Sequence, residues 1–218
     1  MSERFDAYEF LSLVAPGAVV VFSASLVFPE VKTYIVDSGV TVGGLGIFLI
    51  LSYIAGHLVQ AFGNLLEKVV WFPFGGMPTQ WILKQNQRLL AAAQAEKLFS
   101  AISLSHPGFD PAGASSRPDW YSITREVYAR VRGAGKSERI DAFNRNYGLL
   151  RGIAASLLIS ALVASVLSLA SGSTLSLLVL ALVLAIYRMY RFGVHYGREL
   201  FVTFLALNNE RVSPEQNH

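Results

Sequence analysis

His57, Gln60, Asn64 and Glu67 recur at offsets of 3, 4 and 3 in a stretch otherwise built from Leu, Val, Ala, Phe and Gly. Helical spacing puts all four on one face. From Val40 to Leu66 the chain carries no Asp, Glu, Lys or Arg. At about 1.5 Å of rise per residue, roughly 27 residues are enough to cross a bilayer with some tilt. Hydrogen-bonding groups at that depth are costly in lipid, so the stripe must face other helices, a cavity or water. Two chemistries fit. The stripe can line an aqueous path, with Glu67 at its mouth favouring cations. Alternatively, His57, Gln60 and Asn64 hydrogen-bond a neighbouring helix, and Glu67 sits at the interface. No metal site forms on this helix alone, because His57 and Glu67 lie about 15 Å apart along the axis.

Arg188, Arg191, His195 and Arg198 repeat the same spacing further on, with Tyr187, Tyr190 and Tyr196 close by. In an oligomer such a stripe makes a basic ring beneath the membrane. It suits an anionic ligand: a nucleotide, a short single-stranded DNA or acidic lipid headgroups, with tyrosines available for base stacking. The plainer reading is an anchor touching lipid phosphates. The segment FNRNYGLLRG gathers Asn144, Gly148 and Arg151 at a helix-membrane junction, where Arg145 or Arg151 can bind phosphate. The basic residues Lys84, Arg88, Arg125, Arg130, Arg132 and Arg139, with Arg145 and Arg151 again, are diluted by Glu96, Asp119, Glu126, Glu138 and Asp141. That mixture reads as a solvated helix surface.

The elements that position these stripes follow from the hydrophobic pattern. Phe10 to Phe28 is apolar for the length of one crossing, with Pro16-Gly17 in its first turns, where a kink is expected. The opening Met1–Glu9 is slightly acidic, unlike a signal peptide, so an uncleaved first helix is expected. A short connection, 29–39, leads to the helix of the polar stripe, entered through Gly43, Gly44 and Gly46. Gly43, Gly46 and Ala55 are candidates for close helix approach. After the aromatic turn WFPFGG, a helix is expected from Pro78 to about Leu104, then a loop over 105–118. The next helix should bury Trp120, Ile123, Val127 and Val131 and end at Gly133 and Gly135. A further helix begins near Ser137 and runs on into a crossing over 152–170. After a turn at 171–173, a fourth crossing begins at Thr174 and stays helical to about Asn208.

Composition agrees with a membrane setting: 53% of the 218 residues are hydrophobic and only 15% charged, against about 25% in ordinary globular domains. With no cysteine, disulfides and thiolate metal sites are excluded. Of the 18 Lys and Arg residues, 12 fall in Lys68–Arg151 and 4 after Tyr187. Positive residues favour the cytoplasm, which predicts cytoplasmic termini and a cytoplasmic insert. The fold expected is all-α: a polytopic membrane protein with about four transmembrane helices and a cytoplasmic helical insert. Its parts are a helical pair over 1–67, a subdomain over 68–151, a second pair with a cytoplasmic extension over 152–207, and a flexible tail over 208–218.

Catalytic machinery is not apparent. There is no Gly-rich phosphate loop, HExxH or G-x-S-x-G elbow, and His106 and His218 have no evident partner in sequence. No catalytic residue, cofactor or resident metal is assigned. A membrane enzyme using His57 or Glu67 on lipid or polyprenyl headgroups stays open as an alternative, as does a non-catalytic membrane scaffold.

The layout of two helices, a helical insert and two more helices, with the stretches GHLVQAFGN and FNRNYGLLRG, resembles small bacterial membrane effectors of anti-phage defence. Among these it is most similar to the transmembrane channel effectors of the Hailong system. The resemblance implies a homo-oligomeric ion channel of the bacterial inner membrane. It further implies that short DNA oligomers from a partner nucleotidyltransferase hold the channel shut, and that their loss during infection depolarises the cell. The resemblance assigns no individual residues; from their own spacing and charge, His57, Gln60, Asn64 and Glu67 are expected to line the pore, and Arg188, Arg191, His195, Arg198, Arg145 and Arg151 to hold the ligand.

Overall fold

The computed structural model describes residues 7–28, 33, 41–84, 87–107, 109–110, 117–167 and 171–212. The connection over 29–39, residue 33 apart, and the tail from 213 lie outside them, as does 111–116 within the expected loop.

Most of the described residues are helical, and no strand occurs among them. In chain order the helices are α1 (Ala7–Val27), α2 (Val42–Trp71), a 3-10 turn (Phe72–Phe74), α3 (Pro78–Trp81), α4 (Ala92–Ser105), α5 (Arg117–Gly133), α6 (Glu138–Val166) and α7 (Gly172–Val212). Among the described residues, three helical stretches are long and apolar enough to cross a membrane: Val42–Trp81, Glu138–Val166 and Gly172–Asn209. They point to a membrane protein. The apolar part of α1, Phe10–Ser25, is shorter, so three stretches meet the length for crossing where about four were expected.

The chain divides into two compact units, 1–70 with 145–190 and 71–144 with 191–218. In the first, α1, α2 and the apolar part of α6 approach through small residues. A Cβ added to Gly17 would meet the Ser52 carbonyl oxygen, and one added to Gly56 would meet that of Leu13. Ser52 is itself buried. Backbones this close leave room only for hydrogen, the packing that small residues permit in lipid. Around Gly43 and Gly46, the candidates from sequence, no described residue lies within reach of an added Cβ. Large apolar side chains on α2 and α7, among them Leu58, Phe62, Leu65, Leu177, Leu180 and Leu184, stay exposed, as lipid-facing surface should be.

The second unit has an ordinary hydrophobic core. Trp120, Ile123, Val127 and Val131 of α5 pack with Leu98 and Ile102 of α4, Ile140 of α6, and Leu200, Phe201 and Phe204 of α7. The spacing of the α5 residues forecast their shared face. Trp120 also donates from Nε1 to the Thr79 carbonyl at 2.8 Å. Gly135, at φ +71°, ends the turn after α5, and Lys136 N–H closes back on the Val131 carbonyl. The single helix expected from Pro78 to Leu104 is instead two. Between α3 and α4, the Gln87 side chain accepts from the N–H groups of Leu89 and Leu90 and donates to the Leu90 carbonyl. One side chain thus replaces several helical bonds, and the bend buries Leu89 and Leu90 in the core.

Candidate functional site

In the first unit the polar stripe of α2 splits. Proline at position 16 has no N–H, so the Ser12 carbonyl one turn earlier loses its helical partner. Gln60 supplies it: Nε2 donates to Ser12 O at 3.2 Å. The other end of the same amide, Oε1, accepts from Arg151 at 3.1 Å. Arg151 donates from its second terminal nitrogen to Glu67 Oε2 at 2.6 Å, an ion pair with each side chain only about a fifth exposed. The aliphatic and Nε atoms of Arg151 lie over Gly63, and Gly152 lets Pro16 and Gln60 approach α6. Ser156 completes the set, donating to the Pro16 carbonyl at 2.7 Å. A half-buried cation, a carboxylate and an amide here satisfy one another, the condition for polar groups in an apolar setting. Arg151 Nε is the remaining buried atom of the cluster without a partner.

His57 and Asn64, on the same stripe, are exposed. The His57 and Tyr53 rings meet edge to face, centroids 4.8 Å apart, and Tyr53 stacks on Phe10. The offsets explain the split. Gln60 and Glu67 lie about 60–80° round the helix from His57 and Asn64 lies about 20° from it, on the margin of the buried face. Arg145 is also exposed, its guanidinium 5.4 Å from the Tyr8 ring.

The basic stripe of α7 begins with Arg188 in the first unit and continues as Arg191, His195 and Arg198 in the second. Arg188, Arg191 and Arg198 are exposed, and His195 is half-buried. An Arg191 terminal nitrogen lies 3.5 Å from His195 Nε2. Arg198 is anchored through Nε to the Leu89 carbonyl at 3.1 Å. The His195 ring stacks on Phe143 with centroids 5.4 Å apart. Arg139 lies over the same phenyl ring and pairs with Glu199 at 3.5 Å. Spacing along one helix gave no sign of Arg139 and Phe143, which come from α6.

Elsewhere, His106 has a partner after all, Glu126 at 3.1 Å, beside an Arg130–Ser105 hydrogen bond. Its second nitrogen, Nδ1, is buried without one. His218 lies outside the described residues. Among the described residues no group of three or more His, Cys, Asp or Glu is placed to hold a metal ion.

Comparison with protein-family models, curated proteins and solved structures found no match to this chain.

Proposed function

We propose that the chain is a homo-oligomeric, channel-like effector of the bacterial inner membrane, opened and closed by an anionic nucleotide or short DNA oligomer. Four crossings, α1 included, would keep both termini and the insert in the cytoplasm. One observation carries the reading: His57 and Asn64 stand exposed in the middle of an apolar helix, beside residues suited to lipid. Neither is satisfied by hydrocarbon, so water or another copy must meet them. Several copies round an axis would supply both. Gln60, Glu67 and Arg151 would then support the pore wall from behind, and Arg188, Arg191, His195 and Arg198 would hold the ligand. The resemblance to anti-phage effectors supplies the physiological output, membrane depolarisation, and a nucleotidyltransferase as the source of ligand. Headgroup catalysis draws no support from Glu67, whose carboxylate is already held by Arg151.

Purified protein in dye-loaded liposomes tests it. Ion flux that drops at least tenfold in His57→Leu/Asn64→Leu supports conduction along this face. Wild-type liposomes as tight as empty ones would remove it.

A further inference from the structure

The surface around His195 holds more positive charge than the stripe on α7 supplies. Three guanidinium groups, Arg139 from α6 and Arg191 and Arg198 from α7, lie within electrostatic reach of the His195 ring, and one carboxylate, Glu199, joins them. Arg139 is 72% exposed and Glu199 only 25%. The groups are also held in place. His195 stacks on Phe143, Arg139 lies 5.6 Å from the centroid of that phenyl ring, and Arg198 is tied to the Leu89 carbonyl. Like charges repel unless water or an anion screens them, and preorganised guanidinium groups suit the oxygens of a phosphate.

We infer that Arg139, Arg191, His195 and Arg198 form one phosphate-binding site built from two helices, for a phosphate monoester or diester. Glu199 competes within it by holding Arg139. This assignment deepens the ligand part of the proposed function and rests on it, whereas binding is measured apart from conduction.

The experiment uses the full chain in nanodiscs, with a fluorescent 5′-phosphorylated tetrathymidylate as the soluble probe. Nanodiscs of phosphatidylcholine, with and without phosphatidylglycerol, form the lipid arm. Arg139→Gln should weaken binding at least fivefold, and Arg125→Gln on α5 should leave it within twofold. Glu199→Gln should tighten binding about threefold by releasing Arg139, a gain that misfolding cannot produce. Phosphatidylglycerol that displaces the probe from wild type, with no further effect in Arg139→Gln, assigns the site to lipid phosphate. Saturable binding indifferent to that lipid assigns it to a soluble phosphate. No saturable binding in either arm, equal losses in Arg139→Gln and Arg125→Gln, or no gain in Glu199→Gln would overturn the site. Liposome flux separates the two ideas: flux without binding removes this site and keeps conduction, and binding without flux does the reverse.

Discussion

Gln60 is the residue whose job is clearest, because two separate problems meet on one amide. It closes the carbonyl that Pro16 leaves open and steadies Arg151 against Glu67. Gln60→Leu should therefore destabilise the protein by about 1–3 kcal/mol, the usual cost of orphaning a buried polar group. Pro16→Ala in the same chain should restore part of that loss, since an alanine there brings its own N–H to the Ser12 carbonyl. Unfolding of the detergent-solubilised protein reads both, and a double variant no more stable than Gln60→Leu would refute the capping role. In the second unit, Tyr128 donates to Asp141 at 2.7 Å. Burial first, and then the Asp141 hydrogen bond and charge, hold its hydroxyl above the ordinary 10.0. The unfolded chain then ionises first as pH rises. Stability from this group is whole below about pH 10 and is lost as pH climbs through the raised value. Thermal unfolding between about pH 9 and 11.5 should show that decline and should lose part of it in Tyr128→Phe. An identical slope in the variant would assign the decline to other groups.

At the scale of elements, the contact between α1 and α2 decides the first unit. Ala in place of Gly56 would set its Cβ against the Leu13 carbonyl, backbone that cannot rotate away. Gly56→Ala should cost about 1–3 kcal/mol or more through overpacking, whereas Gly46→Ala, which no described residue crowds, should be close to neutral. Equal effects in an unfolding series would place the helix contact elsewhere. This comparison also shows what sequence could reveal. Glycine enrichment named the right helix, but only coordinates distinguish Gly56 from Gly43 and Gly46, because proximity depends on the partner's path. The buried face of α5 was legible since its period and polarity agree residue by residue. The break between α3 and α4 was not, because good helix formers span it and one Gln side chain overrides their preference. The polar stripe was legible as a stripe. Its division into bonded Gln60 and Glu67 against exposed His57 and Asn64 needed the position of Arg151, 84 residues away from Glu67. Pro16 did carry a readable signal, since a proline always strands the carbonyl four residues before it.

For the whole molecule, the question is what faces the margin of α2. The absence of cysteine makes it answerable, because any introduced thiol reacts alone. Asn64 and His57 lie about 100–160° round the helix from the exposed apolar residues Leu58 and Phe62. A thiol reacts with a membrane-impermeant methanethiosulfonate only as a thiolate in water, so the rate reports which side is wet. If copies assemble round an aqueous path, Asn64→Cys and His57→Cys in intact membranes should react at least about tenfold faster than Leu58→Cys and Phe62→Cys. Oligomerisation should be visible in the same samples by chemical crosslinking, with the reaction at position 64 lowering ion flux. Slow reaction at all four positions together with a monomer by crosslinking would leave the margin turned to lipid, which the cost of burying His and Asn in hydrocarbon argues against. Fast reaction at 58 and 62 as well would mean that α2 is wet on every side, and the apolar face would then have to be explained by a partner other than the bilayer.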